Sequence, residues 1–561
     1  MTTTKPTTSR PNVVVVFGDE WRAHNVGYAG DEVARTPRID RLAEESIDYT
    51  QAIAGQPICC PSRASFLTGQ FPLQHGLYLN DVELTPTGPT LAEVFQENGY
   101  RTGYIGKWHL HGSPEGHYER RAAFIPPQSR HGFEYFKALE CTHDYNQSAY
   151  YANDDPTPRY WDGYDAVAQT DDALGFIGEG AAQQPFFLML SYGPPHFPLQ
   201  TAPDRFRTLY EDVEIPLRPN VPDWAVQQAV RDLRGYYAHI AALDECIGRL
   251  LDGLDSDNTI IVFTSDHGDM LWSQGLEHKL NPWEESVRVP LLVRAPGREP
   301  SVSTQLFNSA DLMPTVLGFA GLDIPTTVTG SDLSVSDAGP ATAFLCAPAV
   351  YTSLRRSGLE EYRGVRDARY TYVRTLTGPW LLYDNVDDPF QQHNRCGDPA
   401  LAHEQQRLEK ELQWWLGRLG DEFLPGDHYL RRDGLEHFFE VNEPLGFSGT
   451  DQWTSPNVRG RHFSIDTALS AIQAHEDARL IVDDLAPRAL ASETPMHGRR
   501  SIRLLAMAEP HRFPRAALEE LDERLLALGE RSIDYSTSVA LPAWPPSVRL
   551  TPLGDHHSTG G

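Results

Sequence analysis

The chain lacks long hydrophobic runs, and none of its apolar stretches approaches the ~18 residues that a membrane-spanning helix requires. Its first ten residues are polar and rich in threonine, without the apolar segment of a secretory leader. These two absences predict a soluble, cytoplasmic protein with no membrane partner and a disordered tail at residues 1–10.

Basic residues and cysteines are also scarce. Lysine and arginine number 48 against 77 acidic residues, so the formal net charge is −29. This balance disfavours nucleic acid or a polyanionic glycan as the main partner, although it leaves room for a local basic pocket. The six cysteines, at positions 59, 60, 141, 246, 346 and 396, lack paired spacing, which suits a reducing compartment better than a disulfide framework.

The length of 561 residues exceeds the usual size of one hydrophobic core, so at least two domains are expected. Short apolar runs rich in β-branched residues predict strands at 12–17, 185–191, 259–264 and 289–294. Helical patterns lie at 90–98, 223–254 and 309–320. This alternation predicts an α/β domain with a mostly parallel sheet, which we place at residues 11–344.

The composition changes after this domain. Strands are predicted at 362–374 and 380–383 and a helix at 400–417, so residues 345–425 are expected to form a smaller α+β subdomain. Residues 430–561 are predicted to form an additional α+β domain of unknown role. Its expected elements are strands at 479–484 and 501–509 and an amphipathic helix at 516–528.

Two acidic residues follow directly after predicted strands. Asp19 comes after strand 12–17, and Asp266 comes after strand 259–264. Ligands of open α/β sheets gather at the carboxyl ends of the strands. The two carboxylates, far apart in sequence, are therefore expected to meet at one edge of the sheet.

The stretch CCPSR at residues 59–63, followed by LTG at 67–69, carries a family resemblance. It resembles the type I sulfatases of the alkaline phosphatase superfamily, in which the first cysteine of Cys-x-Pro-x-Arg is oxidised to formylglycine. Cys59 fits this spacing, whereas Cys60 would need proline and arginine where the chain has Ser62 and Ala64. Cys60 is therefore expected to be a packing residue.

The resemblance extends to about residue 420 and implies an alkaline phosphatase-like fold and a sulfuric ester hydrolase. A thiol attacks sulfate esters poorly, but a hydrated aldehyde offers two oxygens on one carbon. One oxygen attacks sulfur and the other later expels the sulfate, so turnover divides into two easier steps. A formylglycine-generating maturation enzyme is an implied partner, and a small-molecule sulfate ester is the implied substrate.

The resemblance also implies one divalent metal ion, held by Asp19, Glu20, Asp266 and His267 together with the side chain at position 59. Hard oxygen ligands suit Ca²⁺ first, with Mn²⁺ or Mg²⁺ as alternatives, and an imidazole tolerates Mn²⁺ more readily than Ca²⁺. The family often has aspartate where this chain has Glu20. Glu20 is either a metal ligand itself or a residue that contacts a metal ligand.

Cationic groups around the sulfate are implied by three further motifs and by Arg63. The run GKWHL at 106–110 provides Lys107, expected to contact the sulfate and the formylglycine, and His109, expected to hydrogen-bond the hydrate and assist breakdown of the sulfated hemiacetal. His196 in GPPHFP and Lys279 in GLEHKL are expected to face the ester and its leaving group. Preorganised donors of this kind are typically worth ~3 kcal/mol of barrier each.

Two other functions stay open from the sequence. Phosphonate monoester and phosphodiester hydrolases use the same scaffold and aldehyde, because tetrahedral oxyanions of sulfur and phosphorus are similar in shape. A non-catalytic protein that docks through its tail is the second alternative, since residues 430–561 faintly resemble the C-terminal domain of adenylate-forming ligases. The oligomeric state is not readable from the sequence.

Overall fold

The computed structural model describes most of the chain up to residue 435 and parts of the chain beyond it. The described residues are 10–112, 124–179, 184–335, 339–350, 359–435, 463–465, 467, 469–487, 490, 502 and 515–529. Within these ranges, no helix is both long enough and apolar enough to cross a bilayer. All six cysteines lie in the described ranges and are free thiols.

A ten-stranded sheet forms the centre of the main domain. Its strands are β1 (Asn12–Asp19), β2 (Ile47–Ile53), β3 (Arg101–Lys107), β4 (Tyr135–Leu139), β5 (Ala149–Ala152), β6 (Asp155–Tyr160), β7 (Phe186–Pro195), β8 (Thr259–Ser265), β9 (Leu291–Arg294) and β10 (Ser301–Asn308). They lie in the order β10-β2-β9-β8-β1-β7-β3-β4-β5-β6. The five central strands from β8 to β4 are parallel, while β9 and β5 pair antiparallel with their neighbours. The sheet is therefore mostly parallel, as predicted.

Helices cover both faces of this sheet. They are α1 (Pro37–Glu44), α2 (Cys59–Thr68), α3 (Pro72–His75), α4 (Leu91–Glu97), α5 (Asp165–Gly178), α6 (Asp204–Arg207), α7 (Val226–Asp252), α8 (Glu284–Val287) and α9 (Leu312–Ala320). Val13 and Val15 of β1 belong to the core cluster that includes residues of α2, α4 and α9. Val14 and Val16 belong to the cluster with α1, α5 and α7. Both faces of β1 are buried because alternate side chains of a strand point to opposite sides.

A second, four-stranded antiparallel sheet follows in the chain. It consists of β11 (Ala343–Ala347), β12 (Tyr362–Arg366), β13 (Tyr370–Thr375) and β14 (Gly378–Asp384), in that order. Helix α10 (Ala402–Leu419) packs Leu408 and Trp415 against this sheet. Arg366 of β12 donates two hydrogen bonds, of 2.6 and 3.1 Å, to the carboxylate of Glu284 in α8, and this buried pair ties the second sheet to the main domain.

The described parts of the tail are helical. Helices α11 (Gly426–Asp433), α12 (Leu469–Gln473), α13 (Glu476–Leu485) and α14 (Arg515–Leu526) lie there, and the last three share a small apolar core. The predicted strand at 479–484 is therefore wrong. This segment is helical instead: Val482 lies in the small core, Ile481 packs partly against it, and Leu480 is exposed on the opposite face. The predicted strand at 501–509 lies outside the described residues, apart from Ile502.

Most other predicted elements exist with shifted ends. The helix predicted at 90–98 is α4, and Thr90 precedes it as a cap whose hydroxyl accepts a hydrogen bond from the Glu93 amide. The segment predicted as one strand at 362–374 is the hairpin of β12 and β13. A turn at residues 367–369 interrupts it, where the Asp367 carboxylate accepts from the amides of Arg369 and Tyr370.

We expect Asp421→Ala to unfold the second sheet region readily, lowering the free energy of unfolding by about 3–5 kcal/mol. Arg363 of β12 is fully buried and donates to both Asp421 oxygens, and Tyr429 donates to the same carboxylate at 2.7 Å. The substitution leaves a buried guanidinium without its counter-ion. Chemical denaturation measures the loss, and Glu422→Ala, at the exposed neighbouring position, is the matched control that should change little.

Candidate active site

The carboxyl ends of four central strands meet at one edge of the sheet. Asp19 is the last residue of β1 and Lys107 the last of β3. His196 follows β7 directly, and Asp266 and His267 follow β8. The expectation that the two strand-end aspartates meet is confirmed, because Arg63 contacts both of them.

Cys59 lies at the centre of this edge. It is the first residue of α2, its preceding residue Ile58 has an extended backbone, and its side chain is 1% exposed. Its Sγ atom is close to four functional groups: Lys279 Nζ at 3.2 Å, His267 Nε2 at 3.4 Å, Lys107 Nζ at 3.6 Å and Asp19 Oδ1 at 3.8 Å. The neighbouring Cys60 Sγ instead accepts a hydrogen bond from the Asp81 amide at 3.3 Å.

Arg63, one turn further along α2, holds the two aspartates in place. Its Nη2 donates to Asp19 Oδ2 at 3.0 Å, and its Nε donates to Asp266 Oδ2 at 2.9 Å. Its Nη1 donates to the Lys107 carbonyl at 2.8 Å and to Ser191 Oγ at 2.7 Å. The guanidinium therefore uses the Oδ2 atom of each aspartate and leaves the Oδ1 atoms directed elsewhere.

These Oδ1 atoms face His267. The Nε2 atom of His267 lies 3.7 Å from Asp19 Oδ1 and 3.8 Å from Asp266 Oδ1, which is too far for hydrogen bonds. Its Nδ1 donates to the Gly268 carbonyl at 2.8 Å, so Nε2 presents a lone pair to the carboxylates. Carboxylate, thiol and imidazole atoms that converge in this way could hold a metal ion, and the donor set of Asp19, Cys59, Asp266 and His267 fits a divalent ion.

Glu20 lies beside this group rather than within it. Its Oε1 atom is 2.6 Å from Lys279 Nζ and 3.2 Å from His196 Nε2. Lys279 Nζ also lies 2.9 Å from His196 Nε2, so the three side chains form one buried cluster. His143 stacks on His196 with 4.2 Å between ring centroids and an interplanar angle of 10°.

The two aspartates, Asp19 and Asp266, have different electrostatic surroundings. Burial alone would raise the pKa of Asp19, but Lys107 and Arg63 hold the pKa of this carboxyl well below its usual range. Burial and the nearby charge of Asp19 raise the pKa of Asp266, and Arg63 offsets this only in part. A divalent ion next to both carboxylates would favour their ionised forms.

The site also favours an anion at position 59. Burial and Asp19 oppose ionisation of the Cys59 thiol, yet Lys107, Lys279 and His267 lower its pKa well below the ordinary value. The start of α2 adds backbone N–H groups and the positive end of a helix dipole. A negatively charged oxygen or sulfur is thus stabilised where the motif places the nucleophile.

His109 lies in the loop after β3, and its main contact was not anticipated from the sequence. Its Nε2 is 3.2 Å from Asp81 Oδ1, in a pair that is almost fully buried. Asn80, beside Asp81, accepts from the Cys60 amide through Oδ1 at 3.0 Å. Asn80 and Asp81 were not predicted as site residues, because the sequence Leu-Asn-Asp in a loop has no spacing that relates it to residues 59 or 109.

A family model described as Sulfatase matches residues 11–322, which is more than half of the chain. A second model, described as N-sulphoglucosamine sulphohydrolase, C-terminal, matches residues 274–416.

Similar proteins support the same assignment. An ulvan-active sulfatase of Formosa agariphila is 39% identical over 455 residues, covering 78% of this chain and 86% of the relative. The structure of the proposed sulfatase yidJ from Bacteroides fragilis matches with a TM-score of 0.67 and 28% identity, covering 76% of this chain and 99% of that one. The phosphonate monoester hydrolase of Agrobacterium radiobacter shares the fold, with a TM-score of 0.61 at 22% identity over 73% of this chain and 96% of its own. The chain therefore belongs to the sulfatase family, hydrolases of sulfuric esters with the alkaline phosphatase-like fold.

Proposed function

We propose that this sulfatase works through a formylglycine formed from Cys59 and one divalent metal ion at Asp19, Asp266 and His267. The observation that carries the proposal is the convergence of two lysines, a histidine and an aspartate on Cys59 Sγ within 3.8 Å. The same cysteine begins the Cys-x-Pro-x-Arg motif, and its arginine holds two of the metal-binding carboxylates.

The aldehyde supplies, once hydrated, two oxygens on one carbon at a position where the protein already stabilises negative charge. Cys59 is 1% exposed and lies at the start of a fully buried helix. A maturation enzyme could not reach this side chain in the folded protein. We therefore propose that the maturation enzyme modifies Cys59 before the chain has finished folding.

The metal ion supplies positive charge that polarises the ester and favours deprotonation of the nucleophile. Asp19 and Asp266 offer hard oxygen ligands, which suit Ca²⁺, and His267 adds a nitrogen ligand that Mn²⁺ accepts more readily. Glu20 pairs with Lys279 and His196, so we assign it to orienting these two groups rather than to binding the ion.

The remaining cations bind and orient the anionic ester. Lys107 and Lys279 lie on two sides of Cys59 Sγ, at 3.6 and 3.2 Å, and His196 lies beside Lys279. Without an ion, the cationic side chains of Arg63, Lys107 and Lys279 face the three carboxyl groups of Asp19, Glu20 and Asp266. A divalent ion adds an excess of positive charge that suits the sulfate, and His196 and Lys279 are placed to meet charge on the leaving oxygen.

Sulfated sugars are the first substrates to test. The Formosa agariphila relative is named for activity on ulvan, and this supports a carbohydrate sulfate as the substrate here, with a sugar hydroxyl as the leaving group. The net charge of −29 had disfavoured a polyanionic glycan. Net charge is a property of the whole surface, however, whereas recognition depends on the local cations of the site.

We expect the peptide containing Cys59, from protein made in its own host, to weigh about 18 Da less than the cysteine form, since a carbonyl oxygen replaces SH and H. Fragmentation by mass spectrometry assigns the loss to Cys59 and leaves Cys60 unchanged. Cys59→Ala should lower kcat/KM for an aryl sulfate by about 10³-fold or more. Cys396→Ala, a half-buried cysteine of the second sheet region, is the control. An unmodified thiol in active enzyme would contradict the proposal.

Removal of divalent ions with a chelator should abolish activity and lower the midpoint of thermal unfolding, because an ion that binds only the folded protein stabilises it. Ca²⁺, Mn²⁺ and Mg²⁺ are then added back separately. His267→Ala should lose the bound metal, as measured by elemental analysis, whereas Glu20→Gln should keep it. Loss of metal from Glu20→Gln with retention in His267→Ala would show that the ligands are assigned wrongly.

The alternative of phosphonate or phosphodiester hydrolysis is tested with matched aryl esters. We expect kcat/KM for 4-nitrophenyl sulfate to exceed that for 4-nitrophenyl phenylphosphonate, since the Formosa agariphila relative, 39% identical to this chain, is named as a sulfatase. Both esters carry one negative charge and the same leaving group, so the comparison isolates the central atom. A large excess for the phosphonate would assign the chain to the phosphorus ester hydrolases of this fold.

A further inference from the structure

The pair of Asp81 and His109 is a further buried contact between polar side chains, and no sequence motif accounts for it. The two side chains are 2% and 1% exposed, and Asp81 Oδ1 lies 3.2 Å from His109 Nε2. Both residues have a positive φ, of 66° for Asp81 and 58° for His109. Two left-handed residues that meet through their side chains indicate loops held in a specific conformation by their surroundings.

Asp81 is fixed from the start of α2. Its backbone amide donates to Cys60 Sγ at 3.3 Å, and the adjacent Asn80 Oδ1 accepts from the Cys60 amide at 3.0 Å. These two bonds join the loop that carries Asp81 to Cys60, the residue after Cys59.

His109 is fixed from the end of β4. The buried carboxylate of Glu140 accepts hydrogen bonds from the amides of Leu110, His111 and Gly112 at 3.1, 3.0 and 2.6 Å. On the other side of His109, the Trp108 amide donates to the Leu139 carbonyl at 2.8 Å. The loop that carries the imidazole is therefore clamped on both sides of the histidine.

The two ring nitrogens of His109 have different surroundings. Nε2 faces the Asp81 carboxylate, which can only accept, so Nε2 carries a proton. Nδ1 is buried and contacts no donor or acceptor in the described part of the chain. A proton on Nδ1 would be a buried donor without an acceptor in the described part of the chain, so the geometry favours the tautomer with the proton on Nε2.

We propose that Asp81 is a positioning residue that holds His109 in the tautomer with the proton on Nε2 and the lone pair on Nδ1. This inference rests on the proposed function. It adds that an aspartate 28 residues earlier in the chain, Asp81, sets the orientation and tautomer of the histidine in the GKWHL run. The pair resembles the histidine–aspartate arrangement of hydrolases in role, because a buried carboxylate selects the reactive nitrogen.

The kinetic test is a double-mutant cycle on an aryl sulfate with Asp81→Ala, His109→Ala and the double variant. General acid–base groups contribute about 10²–10⁴-fold, so Asp81→Ala should lower kcat by about 10²-fold with little change in KM. In the His109→Ala background, the same substitution should change kcat by less than about threefold, because both changes remove one function. Asp388→Ala breaks a histidine–aspartate pair at 3.5 Å in which the histidine is exposed, and it serves as the control. Equal losses in both backgrounds would overturn the proposal.

The structural test does not need the modified enzyme. In protein made without the maturation enzyme and labelled with ¹⁵N-histidine, the signals of His109 are assigned by comparison with His109→Gln. We expect a protonated Nε2 and an unprotonated Nδ1 in the wild type, and a mixture of tautomers in Asp81→Ala. Asp81→Asn, whose amide oxygen can still accept, should restore most of the Nε2-protonated form.

A wild-type His109 protonated on Nδ1, or an unchanged tautomer in Asp81→Ala, would show that Asp81 has a purely structural role. Because these spectra do not depend on catalysis, they separate this inference from the proposed function. An inactive wild type with the expected tautomers would contradict only the latter.

Discussion

The buried contact of Arg63 with Asp19 and Asp266 is the interaction on which the rest of the site depends. The two aspartates lie at the ends of adjacent strands and are fully buried, so their carboxylates would repel each other strongly. One guanidinium neutralises this repulsion, and its planar geometry sets which oxygen of each carboxylate is used. The Oδ1 oxygens are thereby directed towards His267, and this set of side chains could hold a metal ion.

The arginine that forms these contacts lies on the same helix as Cys59. Residues 59 and 63 are one turn apart on α2, so they share a helix face. The helix that presents Cys59 at its start therefore also carries the group that fixes the two strand-end aspartates. The charge balance at this edge of the sheet is set by these buried groups and differs from the net charge of the whole chain.

The motif residues could be predicted because each follows a local pattern. Asp19 and Asp266 come directly after apolar runs that form central strands, and parallel strands bring their carboxyl ends together. Asp81 and Glu140 could not be predicted in this way. Their roles arise from contacts with Cys60, His109 and the loop after β3, across 20 to 30 residues of chain. The strand prediction at 479–484 was wrong for a different reason, because a short apolar run fits one face of a helix equally well.

The sequence by itself determined the class of fold, the order of most strands and helices in the chain and the choice of Cys59 as the candidate nucleophile, because periodicity and spacing are local properties. The tertiary structure alone decided the pairing of Glu20 with Lys279 and His196, the clamp on the loop of His109 and the partner of its Nε2 atom. These contacts join segments that are distant in the chain, and only the packing of strands and loops at one edge of the sheet brings them within hydrogen-bonding distance.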